Sequence, residues 1–454
     1  METKMKKTEK FSQTLTFKAI IVTVLTLFLL IPRGMILNLI EERQERSSET
    51  ISRINAKWSN AQTICGPVLS IPYLTVEKDE KKETQIVHRH KLNITPEELN
   101  IQAQLFPEER YYGIYKTTLY KSNIHITGKF DKINLPSVNA STILWKEAYI
   151  SIGFSDLRGI TNEVDFRLNG EKYSVEAGEK DPLTGNKIVV GINEPDLLQS
   201  EKELSFNCDL NLNGSGEINF IPLGKNSKVK VVGAWKSPGF IGNFTPEEKK
   251  ISNNEFQAQW NVLYFNRNIP KFWVDENTGS FNNSSFGVNL VNTVDHYQQN
   301  MRSAKYALMF IVLTFIVFFF VEALTKKKIH PLQYTLVGIA LILFYSLLLS
   351  LSEQINFAVA YLIASFATIG LIIAYAYSIF KNKMQTGILT VILCLLYMFL
   401  FVILQLEDIA LLIGSIGLFI ILGIIMFASG KINWYKQEEI MESDKTPDPV
   451  ETLT

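Results

Sequence analysis

The sequence predicts a membrane protein of the α+β class: six transmembrane helices, with a large, mainly antiparallel β domain on the extracytoplasmic side between helices one and two. Three observations predict it. Residues 305–430 are almost wholly apolar, whereas 40–304 are polar and rich in turns. Through that polar stretch apolar and polar residues alternate with period two, the pattern of half-buried strands. Lysine and arginine gather in every second short loop of the apolar part.

Charge is balanced, 45 basic against 45 acidic residues, so no global field is available to hold a polyanion and nucleic acid is not an expected partner. The N-terminal tail, 1–16, is lysine-rich ("METKMKKTEK") and precedes an apolar run, 17–39, without a small-residue cleavage site, which reads as an uncleaved signal anchor. Pro32 and Arg33 weaken that run, and Arg33 near its end is expected to snorkel to the headgroups. Ile51, Ile54 and Trp58 then recur at helical spacing, and a helix is expected to continue until Gly66–Pro67 breaks it and a strand begins.

The domain at 40–304 is long enough for one large β unit or two small ones. In "LSFNCDLNL", Leu204, Phe206, Cys208, Leu210 and Leu212 share a face, and in "EFQAQWNVLYF" Phe256, Ala258, Trp260 and Val262 do the same. "NIHITGKF" and "AYISIGFSD" add strands, Asn169–Gly170 signals a hairpin, and the whole suggests a sandwich. "EKDPLTGNK" and "NCDLNLNGSGE" are the expected loops at any internal division. His88 and His90 share a strand face with no carboxylate or cysteine beside them in sequence, so a solvated face outweighs a metal site. Cys65 and Cys208 lie on the oxidising side, and either a disulfide or two buried thiols fits them. Asp156–Leu157–Arg158–Gly159 reads as a strand-end turn with an internal ion pair. No P-loop, GxSxG, SxxK or metal-ligand spacing occurs, so no catalytic residue, cofactor or metal is expected and the chain does not read as an enzyme.

The remaining spans are expected at 306–324, 334–351, 357–379, 387–404 and 409–428, each near the 20 or so residues that cross a bilayer. Lys4, Lys6, Lys7 and Lys10, then Lys326–Lys328, Lys381, Lys383, Lys431 and Lys436 fall on one side, whereas the turns "SEQIN" and "QLEDI" hold no lysine or arginine. That asymmetry puts both termini, with the tail 431–454, in the cytoplasm and the β domain outside. Gly338, Gly370, Gly414, Gly417 and Gly423 are expected to permit close helix packing, and Glu322 to pair with the adjacent lysines. His330 before Pro331 marks a helix start. Glu353, after Ser352, has two readings. It is the tip of a helical hairpin, with Ser352 or Glu353 capping the next helix, or a docking or proton-binding group with Tyr345, Ser350 and Tyr361 nearby.

"HPLQYTLVGIALILFYSLLLSLSEQINFAVAYLIAS" (330–365, including Tyr334) resembles the signature of the CreD family of bacterial inner-membrane proteins. "VDHYQQNMRSAKYALMF" resembles the family's approach to its second span, with Asp295, Tyr297, Arg302, Lys305 and Tyr306. "WSNAQTICGPVLSIPY" is similar to a further motif through Trp58, Gln62, Gly66, Pro67, Ile71, Pro72 and Tyr73. Two positions depart, Gln354 where histidine is frequent and Asn433 where aspartate is. The resemblance implies an inner-membrane location, a role in envelope integrity, tolerance to some colicins and control by a two-component system, with no established enzymatic activity. The expected function is therefore non-enzymatic support of the envelope through partner or lipid binding, the partners being the bilayer and an envelope protein or lipid. A transporter or lipid-handling protein is the alternative.

Overall fold

The computed structural model describes residues 15–79, 84–133, 140–180, 182–200, 202–275, 281–290, 296–325, 329–406 and 409–430. The chain divides into a helical unit, Met1–Arg46 with Val294–Thr454, and a β unit, Ser47–Thr293.

Eight helices matter here: α1 Leu15–Phe28, α2 Leu30–Trp58, α3 His296–Lys305, α4 Ala307–Thr325, α5 Pro331–Ser352, α6 Phe357–Phe380, α7 Lys383–Gln405 and α8 Ala410–Ser429. The helix assignment lapses between α1 and α2 only at Leu29. Pro32 explains the lapse: it lacks the N–H that the Phe28 carbonyl would accept, and its ring crowds that carbonyl. Among the described residues, four stretches are long and apolar enough to cross a membrane: 17–58, α5, α6 and α7. A fifth forms if α3 and α4, bent by 42°, count as one, and the apolar stretch of α8, Leu412–Phe427, is shorter.

Large apolar side chains such as Leu343, Phe366, Met398 and Phe419 are exposed on this unit, as lipid-facing residues would be. The interior is aromatic: Phe310, Phe315, Phe318, Tyr334, Phe344, Tyr345, Tyr361 and Tyr397 are buried together. Of the five glycines expected to allow close packing, two do. A Cβ on Gly338 would lie 2.2 Å from Leu29, and one on Gly417 2.2 Å from Phe399. Gly370 and Gly423 meet nothing within 4 Å, and Gly414 has only an ordinary contact.

The β unit is two sheets with a core between them. One runs in the order Gly239–Gly242, Phe286–Asn289, Glu217–Ile221, Gln62–Asp79, Tyr149–Phe154, Asn186–Gly191, Glu176–Ala177, with Thr84–Ile94 also on the Gln62–Asp79 strand. The other runs Glu248–Ile251, Phe256–Leu263, Asn226–Gly233, Glu98–Tyr112, Tyr115–Phe130, Leu204–Ser215, Asp165–Leu168, Glu171–Tyr173. The expected alternation holds: Leu204, Phe206, Cys208, Leu210 and Leu212 are buried, as are Phe256, Ala258, Trp260 and Val262. Each sheet is antiparallel apart from one parallel pairing, Gln62–Asp79 with Glu217–Ile221 and Glu98–Tyr112 with Asn226–Gly233. The hairpin at Asn169–Gly170 is present, both residues at positive φ (49° and 89°).

Three expectations need correction. The helix ends at Trp58, before Gly66–Pro67, and the strand from Gln62 runs straight through that pair. The strand tolerates Pro67 because its pairing with Tyr149–Phe154 slips register between Cys65 and Val68, where the ladder needs no N–H. "NCDLNLNGSGE" is no dividing loop but two strands joined at Gly216, and the β unit is single. His88 and His90 do have carboxylates beside them: His88 lies 3.5 Å from Glu77, and His90 Nδ1 2.9 Å from Asp275 Oδ2, residues brought in by neighbouring strands. Cys65 and Cys208 form no disulfide; both are buried thiols and belong to separate clusters. Burial, then the charges of Asp209 and Asp165, pushes the Cys208 thiol up to about 12.

Candidate functional site

The helical unit holds two small polar clusters, each built on one buried carboxylate. At the C-terminal end of α5, Ser352 Oγ donates to the Leu349 carbonyl (3.0 Å) and accepts from Asn300 Nδ2 (2.7 Å). Glu353 closes that helix in helical geometry, its N–H donating to the Leu349 carbonyl at 3.2 Å. Its carboxylate accepts from the Tyr297 hydroxyl at 3.1 Å and lies 3.9 Å from an Arg43 guanidinium nitrogen, and its side chain is only 8% exposed. The cap of α6 is neither Ser352 nor Glu353 but Asn356, whose side chain accepts from the Ala358 N–H at 2.9 Å. Because Glu353 and Gln354 still donate backward to α5, the chain frees itself only at Asn356.

Tyr345 and Tyr361 belong to another layer. Tyr345 precedes Glu353 by eight residues on α5, about 12 Å along a helix axis. There Phe344 packs edge-on against Tyr345, Tyr361 and Tyr397 at 4.9, 5.6 and 5.0 Å between ring centroids, and the Tyr361 hydroxyl donates to the Tyr397 carbonyl at 2.7 Å.

The second cluster centres on Glu322, 5% exposed. Its carboxylate accepts from the Tyr334 hydroxyl and the Ile329 N–H, both at 3.0 Å, and forms an ion pair with Lys18 of α1. The expected partners, Lys326–Lys328, lie outside the described residues, as do the N-terminal lysines, Lys431 and Lys436. His330 caps α5 as expected: its ring accepts from the Leu332 N–H, and Gln333 accepts from the His330 N–H, while Pro331 takes the first helical position. Arg33 departs from expectation. Its guanidinium turns inward to the Ala304 and Lys305 carbonyls, both at 3.2 Å. Those carbonyls are left without helical partners where α3 breaks into α4.

In the β unit Gln62 is fully buried and its amide donates to Ser59 Oγ (2.8 Å), the Asp156 carbonyl (2.8 Å) and the Asn213 carbonyl (3.1 Å), while accepting from the Asp156 N–H at 3.3 Å. Asp156 holds Arg158 through two bonds of 2.9 and 2.7 Å, and Arg158 reaches the Ala56 carbonyl of α2 at 2.8 Å. Burial raises the Asp156 carboxyl, but the Arg158 side chain, the N–H groups of Asn60 and Arg158 and the Arg158 charge outweigh it and hold it below the usual value. The Arg110 guanidinium lies 5.0 Å over the Trp58 ring. Gly66 has φ of +114° and abuts the Ser151 carbonyl, which fixes glycine there, and Pro67 follows through a cis bond.

Among the sequence candidates, then, Ser352 with Glu353, His330 with Pro331 and Tyr334, and Trp58 with Gln62, Gly66 and Pro67 fall into three places. Sequence reasoning missed Lys18, Arg43, Asn300 and Tyr297 as partners. Tyr297 and Asn300 shared one signal, their place in the segment approaching the second span, where Tyr297 is one of the matched positions.

The profile of one family, described as "CreD: Inner membrane protein CreD", matches residues 14–435. "Inner membrane protein CreD" of Escherichia coli K12 is 34% identical over 416 residues, 90% of this chain and 91% of that protein. Among solved structures, native leukotriene A4 hydrolase from Saccharomyces cerevisiae aligns with a TM-score of 0.20 and 7% identity, covering 47% of this chain and 34% of the hydrolase. A second native structure of the yeast enzyme gives a TM-score of 0.18 at 6% identity, and likeness at this level carries no argument. A profile spanning nearly the whole chain and a relative alike along nine-tenths of it agree: the chain belongs to the CreD family of inner membrane proteins.

Proposed function

We propose that this protein supports the integrity of the cell envelope without being an enzyme. Its helical unit, with six spans, is the anchor, and its β unit faces away from the cytoplasm to bind an envelope partner or lipid. One observation carries the reading: the two buried carboxylates are tied at opposite ends of the same first segment. Lys18, near the start of that segment, pairs with Glu322 at the end of α4, and Arg43, beyond its membrane part, lies beside Glu353 at the end of α5. Such pairing suits helices that alternate direction, and it gathers Lys18, His330, Lys381 and Lys383 at one end. By the positive-inside rule that end is cytoplasmic. Glu353 then lies at the outer end, fixed by Tyr297 and Arg43. A proton or ion path would call for acidic or basic residues at mid-depth, whereas α5 and α6 carry no Asp, Glu, Lys, Arg or His and α7 has only Lys383, at its first residue.

Deleting the gene and following uptake of a dye that an intact envelope excludes tests the role. Entry rises in the deletion and returns to normal when the wild-type gene is restored. An unchanged barrier, under envelope stress as well, would remove the envelope reading.

A further inference from the structure

Neighbouring residues on a strand face opposite sides of a sheet. On the strand Asn186–Gly191, Ile188 and Val190 enter the core between the sheets, so Lys187 points to the other face. That face is not simply wet. A second apolar cluster covers it, made of Cys65, Ile221, Leu223, Ile269, Trp273 and Phe281. Lys187 stands at the edge of this cluster and is 8% exposed.

A lysine so buried ordinarily has a carboxylate beside it. Among the described residues none lies within ion-pair distance of Lys187, and its ammonium sits 5.8 Å from the Tyr149 ring centroid. Gly178 flanks the stem: its N–H donates to the Lys187 carbonyl, and a Cβ there would lie 3.0 Å from Lys187 Cγ.

Lys187 lines a cleft of about 40 Å³ together with Lys91, Asn93, Tyr149, Ser151 and Asp275. Its acidic wall residue is already engaged, since Asp275 accepts from the Lys91 N–H at 2.9 Å and meets His90 Nδ1 at 2.9 Å. Asn93 is likewise occupied by Ser70 and the Asp275 carbonyl. Besides these, the cleft is lined by the cations Lys187 and Lys91 and by the hydroxyl-bearing residues Tyr149 and Ser151. A water needs about 10–15 Å³ of such volume, so the cleft has room for one small group and none for a sugar ring or an acyl chain.

We infer that this cleft binds a single anionic group of carboxylate or phosphate size, with Lys187 as its principal cation. The register slip at Gly66–Pro67 lies between Cys65 and Val68, and both of those residues line the cleft.

The test is titration calorimetry on the full-length protein in detergent micelles, with inorganic phosphate and with acetate at constant ionic strength. Saturable binding of at least one anion is expected, and the two arms tell a phosphoryl site from a carboxylate site. Lys187→Gln weakens it by about tenfold or more, as loss of a charge-assisted bond should, and Lys187→Arg retains most of it. Lys249→Gln, on an exposed strand of the other sheet, leaves it unchanged. Near-ultraviolet circular dichroism establishes that each variant is folded. Absence of saturable binding to wild type, or a folded Lys187→Gln that binds equally well, overturns the inference and leaves Lys187 as a stem packed on Tyr149. The readout is binding to the purified chain and so stands apart from the envelope role.

Discussion

Glu322→Ala is expected to lower the free energy of unfolding in mixed micelles by about 3–5 kcal/mol, the usual effect of removing one partner from a buried ion pair. The substitution leaves Lys18, the Tyr334 hydroxyl and the Ile329 N–H without their acceptor, in a site where Glu322 is buried. Lys18→Met alone should also destabilise, and the double variant should be less damaged than the sum of the two, because the stranded charge goes with its partner. Additive losses would mean that the two residues act independently. Glu353 should be more forgiving: Glu353→Gln keeps an acceptor for Tyr297 and gives up only a 3.9 Å approach to Arg43.

Gln62→Ala carries the second large effect, in the β unit. Each buried polar group left without a partner costs about 1–3 kcal/mol, and this change strands Ser59 Oγ, the Asn213 carbonyl and the Asp156 N–H at once, whereas the Asp156 carbonyl keeps the Gly159 N–H. A loss of about 3 kcal/mol or more is expected, read as a lower urea midpoint with an unchanged slope. Gln62→Glu tests the same point more sharply. A carboxylate there has no N–H to give, and it faces two carbonyls, so it should do no better than alanine. Gly159→Ala should be comparably harmful, because its Cβ would lie 2.5 Å from the Asn213 carbonyl and 2.5 Å from the Gln62 amide.

Much of the β unit was legible because a half-buried strand writes its orientation into period two. Leu204 to Leu212 and Phe256 to Val262 needed no other information, and Asn169–Gly170 announced its hairpin through residues that accept positive φ. Gly66–Pro67 misled, because a proline ends a helix far more often than it sits inside a strand, and only the register slip makes the strand permissible. The carboxylate partners were beyond local reading. Lys18 and Glu322 are 304 positions apart, and His90 and Asp275 are 185 apart, so no spacing rule joins them. The same holds for Arg33, whose acceptors exist only because α3 breaks at Tyr306. Lys187 gave no sign at all: it closes "EKDPLTGNK", where a loop is expected, and only the strand Asn186–Gly191 and the second apolar cluster show that its face is covered.

The central claim, an anchored domain lying outside the cytoplasm, is tested most directly by labelling one engineered thiol. Lys249→Cys places it on the exposed strand Glu248–Ile251, in a background with Cys394→Ser. Cys65 and Cys208 stay silent because both are buried, and Cys208 is in addition held as the thiol. A membrane-impermeant maleimide applied to intact spheroplasts should label this variant as fully as it does after lysis. Labelling that requires the membrane to be opened first would put the β unit in the cytoplasm and contradict the account.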